Sequence, residues 1–294
     1  MNTTHTSARS WGWISAIGVL ATIVINILAN TLPFNGMYTG EISDLYPNLF
    51  TPAGLTFAIW GVIYLLLAWF SITLLYMAYR KNSNNSLLKQ AGQFMTMANV
   101  ANIGWIFAWH WGFVLLSMAF MLVLLVTLIS LYSRMQIAYG ARRESVYSQL
   151  DSFPGKLALG LKIPVSVYLG WISVATIANV SALLVSWGVA SFWPGAVFWT
   201  GALIVIALLL GLVSVLLKGD AGYTFVIAWA LLGIYVKRSV TEPMYKSIAL
   251  IAIIASILLA VYALYTLIGN LRKSLPNQPL DSEPDDDTDI QEAP

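Results

Sequence analysis

Residues 50–79 read FTPAGLTFAIWGVIYLLLAWFSITLLYMAY. From Ala53 to Tyr79 there is no charged side chain, a run of 27 residues that follows Pro52. A bilayer core needs roughly 20 apolar residues wound as a helix. The run is continuous rather than alternating, so a barrel strand does not fit it. A backbone in lipid must satisfy its own hydrogen bonds, which leaves a membrane-spanning helix.

The same reading extends outward in both directions. Seven further apolar segments lie at about 12–33, 91–110, 112–133, 158–188, 195–217, 220–236 and 245–270. Over all 294 residues, 59% are hydrophobic and 10% are charged, and the mean hydropathy is +0.76. A soluble domain carries roughly 25% charged residues. A cytosolic enzyme, a secreted domain and a disordered chain are therefore excluded. The expected fold is an all-α integral membrane protein, a polytopic bundle of eight helices. The segment 220–236 is short and is set off by Lys218-Gly219-Asp220. If it is re-entrant, the count is seven. The first segment is longer than the roughly 7–15 residues of a signal-peptide core and has no clear cleavage site, so it reads as a retained helix.

Charge gives the orientation. Seven of the 13 acidic residues lie after residue 280, and the rest of the chain holds 15 basic and 6 acidic residues. These bases flank apolar spans, so they point to membrane orientation and anionic lipid rather than to nucleic acid. With the N-terminus inside, 12 Lys and Arg fall inside and three fall outside: Lys237, Arg238 and Lys246. That bias places both termini in the cytoplasm, with a bacterial plasma membrane as the expected location. The acidic stretch 273–294 reads as a disordered cytoplasmic tail. The loop at 34–52 has no Lys or Arg but carries Tyr38, Tyr46 and Phe50. It is either a lid on the bundle mouth or a plain interfacial loop.

The chemistry open to the spans is narrow. There is no Cys, and the two His are His5 and His110. Disulfides, thiol nucleophiles and a metal site built on His are excluded. No Asp or Glu falls inside a predicted span, which weighs against proton-coupled or ion-coupled transport. No residue is assigned a catalytic role. His110, between Trp109 and Trp111, reads either as an interfacial His in a tight turn or as a metalloporphyrin ligand.

What remains is aromatic and amide chemistry. Phe57, Trp60 and Tyr64 fall at steps of three and four, as do Asn102, Trp105 and Trp109. Tyr168, Trp171, Ala175 and Asn179 do the same. Such steps put each set on one helix face. Stripes of this kind commonly serve helix packing, with Asn hydrogen-bonded across the bundle. They are also the pattern of an aromatic-walled cavity for a flat lipophilic molecule.

Three stretches carry a resemblance. Residues 50–64, FTPAGLTFAIWGVIY, resemble the loop-into-second-helix motif of the TspO/MBR family, the tryptophan-rich sensory proteins and the translocator protein. Asn102-Ile103-Gly104-Trp105 resembles its third-helix Asn-x-x-Trp, and Tyr168 to Asn179 resembles its fifth-helix motif. Three departures stand out. Ala53 replaces a second proline, Pro164 lies about one turn ahead of Tyr168, and Met37-Tyr38 stands for a Trp-Tyr pair.

The resemblance spans residues 12–188 and implies a five-helix domain over 1–190; the apolar runs add a three-helix membrane segment over 191–272, and the acidic tail over 273–294 follows. It implies a receptor or sensor binding a porphyrin, another tetrapyrrole or a sterol-like lipid. Porphyrin or haem would be a ligand rather than an obligatory cofactor, and a homodimer is the assembly the resemblance suggests. Trp60 and Trp171 match the family's porphyrin-site tryptophans. Tyr64, Asn102, Trp105, Tyr168, Ala175 and Asn179 join them as pocket candidates. Photo-oxidative degradation of a bound tetrapyrrole and transport of a neutral lipophile are the alternatives, with membrane lipid as the surrounding partner.

Overall fold

A computed structural model describes residues 3–80, 85–143, 155–189, 195–240 and 245–272, and the acidic tail lies outside them. The eight apolar segments each become one long helix. These are α1 (Thr3–Thr31), α3 (Ile59–Ala78), α4 (Asn85–His110), α5 (Val114–Arg143), α6 (Gly155–Ser186), α7 (Ala196–Lys218), α8 (Ala221–Ser239) and α9 (Lys246–Arg272). A short helix, α2 (Thr39–Asp44), lies in the first loop.

Five helices close a ring in which α1 packs on α3 and α4, α5 packs on α4 and α6, and α6 returns to α3. The added helices attach chiefly through α8. α8 packs against α6, and α7 and α9 flank α8. α6 and α7 are consecutive in sequence but scarcely touch.

Among the described residues, six helices are long and apolar enough to cross a membrane by composition, and α4 and α8 are not among them. Their polar residues are turned inward. On α4, Asn99 and Asn102 are buried, and on α8 so are Thr224 and Arg238. α8 is one continuous helix of 19 residues, about 28 Å long at 1.5 Å per residue. Its length suits a full span rather than a re-entrant half-turn.

The Lys218-Gly219-Asp220 break is a tight corner. Gly219 adopts φ +60°, the left-handed conformation that favours glycine after a helix end. Asp220 caps α8 by accepting the Tyr223 N–H at 3.1 Å. It also accepts the Ser166 hydroxyl and the Tyr132 hydroxyl, each at 2.6 Å. At 5% exposure it is a buried carboxylate at the start of the seventh segment. This corrects the expectation that no acid lies within a span. These three contacts tie α8 to α5 and α6, and the carboxylate needs no counter-cation because three donors face it.

The three cations counted against the orientation rule sit at the end of the bundle where the first loop lies. Lys237 pairs with Asp44 at 3.6 Å. Arg238 donates to backbone carbonyls of Asn48, Leu49 and Thr51. Lys246 opens α9. Two of the three are thus used locally on the loop.

Candidate functional site

The stripes on α3, α4 and α6 converge beneath the first loop. Trp60 stands edge-on to Trp171, with ring centroids 6.1 Å apart, and stacks on Tyr64 at 5.7 Å. Tyr168 meets Trp60 edge-on at 6.2 Å, and Phe57 meets Trp171 at 5.8 Å. These separations fall in the favourable range for aromatic pairs. Trp105 stacks on Trp109, one turn further along α4, at 6.1 Å.

A cavity of about 60 Å³ lies between these rings. Trp60, Trp105, Trp171, Ala175 and Asn179 line it, all five from the sequence stripes. Asn102, Tyr168 and Tyr64 are not among its lining residues. Asn102 and Tyr168 are fully buried and form a polar layer behind the wall. Asn26 of α1 donates to Asn102 Oδ1 at 2.8 Å, and Asn102 donates to the Tyr168 hydroxyl at 3.0 Å. The chain fixes the rotation of three helices at once. Asn179 works on both sides: it lines the cavity and accepts the Trp105 indole N–H at 3.0 Å.

Two polar atoms in this region lack partners among the described residues. The Trp171 Nε1 and the Tyr64 hydroxyl are both buried without a hydrogen bond. A buried unsatisfied donor costs about 1–3 kcal/mol, and native proteins seldom leave one without cause.

The loop covers the cavity. Thr39, Ser43, Asn48 and Thr51 line its roof. Trp109 donates its indole N–H to the Thr39 carbonyl at 3.3 Å, and Tyr46 packs on Trp109. Asn35 donates to the His110 carbonyl at 3.0 Å. The lid alternative therefore describes this loop better than a free interfacial one. His110 is 3% exposed. Its Nδ1 faces the Ile106 carbonyl at 2.8 Å and its Nε2 faces Thr39 Oγ1 at 3.4 Å. With both ring nitrogens engaged, it serves as a joint between α4 and the loop rather than as a metal ligand.

α8 secures the root of the lid. Gly233 O accepts the Ala53 N–H at 3.0 Å, and Trp229 donates to Thr56 O at 2.9 Å. Arg238 binds the three loop carbonyls named above. A Cβ on Gly233 would collide with the Thr56 side chain. Only glycine lets the two backbones come this close.

The walls suit a flat apolar ring: aromatic faces, small alanines and one donor, the Trp171 Nε1, unpaired among the described residues. The space does not yet suit one. Pockets for drug-sized ligands run to roughly 300–1,000 Å³, so with the 39–52 loop in this position the cavity is too small for a molecule of that size. The lining residues outside the sequence stripes are the loop's Thr39, Ser43, Asn48, Thr51 and Pro52, and Val174, Ala178 and Ala182 of α6. Ala175, Ala178 and Ala182 follow steps of three and four, so a small-residue face on α6 was a readable signal. The loop residues carried none.

These features define a class: a polytopic helical membrane protein with an aromatic-walled cavity closed by its first loop. The chain belongs to the TSPO-like protein family, whose model matches residues 12–265. The matched stretch runs through α7 and α8 and into α9. No curated protein and no solved structure matches the chain.

Proposed function

We propose that the protein is a membrane receptor or sensor for a flat lipophilic ligand, with a porphyrin or related tetrapyrrole as the leading class. The observation that carries the reading is Trp171. It walls the cavity, meets Trp60 and Phe57 edge-on, and keeps a buried indole N–H with no acceptor among the described residues. Such a donor is accounted for if a ligand acceptor completes it. Trp60, Trp105 and Ala175 then form the apolar contact, and Asn179 presents a polar edge. Asn102 and Tyr168 hold the wall in register from behind. Tyr64, with its unpaired hydroxyl, supports the Trp60 ring by stacking.

The proposed setting is a bacterial plasma membrane with both termini cytoplasmic. The excess of Lys and Arg on one side supports it. Protoporphyrin quenching of tryptophan fluorescence in detergent tests the site. Affinity that is unchanged in the Trp60→Ala, Trp171→Ala double variant would falsify the assignment.

A further inference from the structure

A second and larger cavity lies on the other face of the loop, outside the five-helix ring. Its volume is about 670 Å³, within the roughly 300–1,000 Å³ of typical ligand sites. It fills the wedge left where α6 and α7 scarcely touch. Leu184 and Val185 of α6 face Trp199 and Leu203 of α7 across it. At one end sit Lys237 and Arg238 of α8 with Asp44, a rim of net charge +1.

We propose that this cavity binds a single-chain amphiphile with an anionic head, drawn laterally from the bilayer. The apolar walls belong to two membrane helices, and Leu184 and Trp199 are exposed on them, so a chain can enter from lipid. Lipid tails are as apolar as Leu, so moving the chain from bilayer to cavity gains little. Selectivity must therefore come from the head. Lys237 is the group that can supply it. Its pair with Asp44 spans 3.6 Å between side chains 31% and 74% exposed. Pairs that exposed contribute little and exchange readily. Arg238 adds positive charge beneath while it holds the loop carbonyls.

The site does not depend on the aromatic cavity, but the two share a wall. Ser43, Asn48 and Thr51 line both. An occupant of the outer cavity props the loop that roofs the inner one, and any coupling of affinities must be reciprocal.

Native mass spectrometry of the full chain, titrated with hexadecanoate in detergent, tests the proposal. One saturable adduct is expected, with methyl hexadecanoate binding about tenfold more weakly, as loss of a charge-assisted contact implies. Lys237→Gln should weaken hexadecanoate by about three- to tenfold for the same reason. Leu203→Trp, which fills the wedge, should abolish the adduct. Equal binding of acid and ester, or no effect of both Lys237→Gln and Leu203→Trp, overturns it. The Trp60→Ala, Trp171→Ala variant should bind hexadecanoate normally. A parallel loss there places the probe in the aromatic cavity and also overturns the proposal.

Discussion

The Ala53 N–H is bonded to the Gly233 carbonyl at 3.0 Å, joining the root of the first loop to a helix 180 residues later in the chain. Ala53 stands where the resembling motif commonly has a second proline. Proline has no N–H, so it could not make this bond. The bond to α8 therefore requires a residue other than proline at position 53. The extension supplies the acceptor, and alanine supplies the donor.

Ala53→Pro isolates that bond. Ala53 has φ −62° and ψ 149°, a backbone that proline adopts without strain. The protein should fold, lose about 1 kcal/mol of stability, and exchange amide hydrogens faster over residues 47–58. Unchanged exchange there would mean that the bond does not secure the lid.

Gly233→Ala tests the close approach. The added methyl meets the Thr56 side chain, and overpacking of this kind costs about 1–3 kcal/mol. A lower melting temperature in detergent is expected, with partial recovery when Thr56→Ala is added. If the double variant melts no higher than the single one, the clash is not the cause.

Trp171→Phe separates packing from donation. It keeps a ring against Trp60 and removes the unpaired N–H. The unliganded protein should be no less stable, because a buried orphan donor is removed. Protoporphyrin affinity should fall by about tenfold, the value of one hydrogen bond. A drop in stability with affinity intact would assign the indole to the fold alone.

Asn102→Ala breaks the polar layer behind the wall. It leaves Asn26 and the Tyr168 hydroxyl without their partner. Hydrogen bonds between membrane helices average about 0.6 kcal/mol and reach roughly 1.7, so a loss of about 1 kcal/mol is expected in steric-trap or denaturant unfolding. A change several times larger would give Asn102 a role beyond this chain of bonds.

Asp220→Ala tests the latch between α8 and the ring. It removes the acceptor of the Ser166 and Tyr132 hydroxyls and leaves the Tyr223 N–H with its Ser166 contact alone. Loss of a helix cap alone costs about 1 kcal/mol, and the stranded hydroxyls add to it. Limited proteolysis near residue 219 should accelerate. Cleavage at the wild-type rate would show that α8 is held by its apolar face instead.

The eight helices and the three aromatic stripes were legible in the sequence because both are local. A charge-free run of 27 residues can satisfy its backbone in lipid only as a helix. Steps of three and four put Trp60 with Tyr64, and Trp171 with Ala175, on single faces whatever surrounds them. Even the tight α7–α8 corner is written in Lys218-Gly219-Asp220. Which side of each helix faces inward is not local. In a bilayer the outward face is as apolar as the core, so Leu65 and Leu217 are exposed while Leu67 is buried. Hydrophobicity therefore could not say that Trp171 lines the cavity while Tyr168 stands behind it. Nor could it pair Thr56 with Trp229, 173 residues apart, or open the wedge between α6 and α7. Those relations depend on helix rotation and on polar contacts made once across the bundle, and only the tertiary packing decides them.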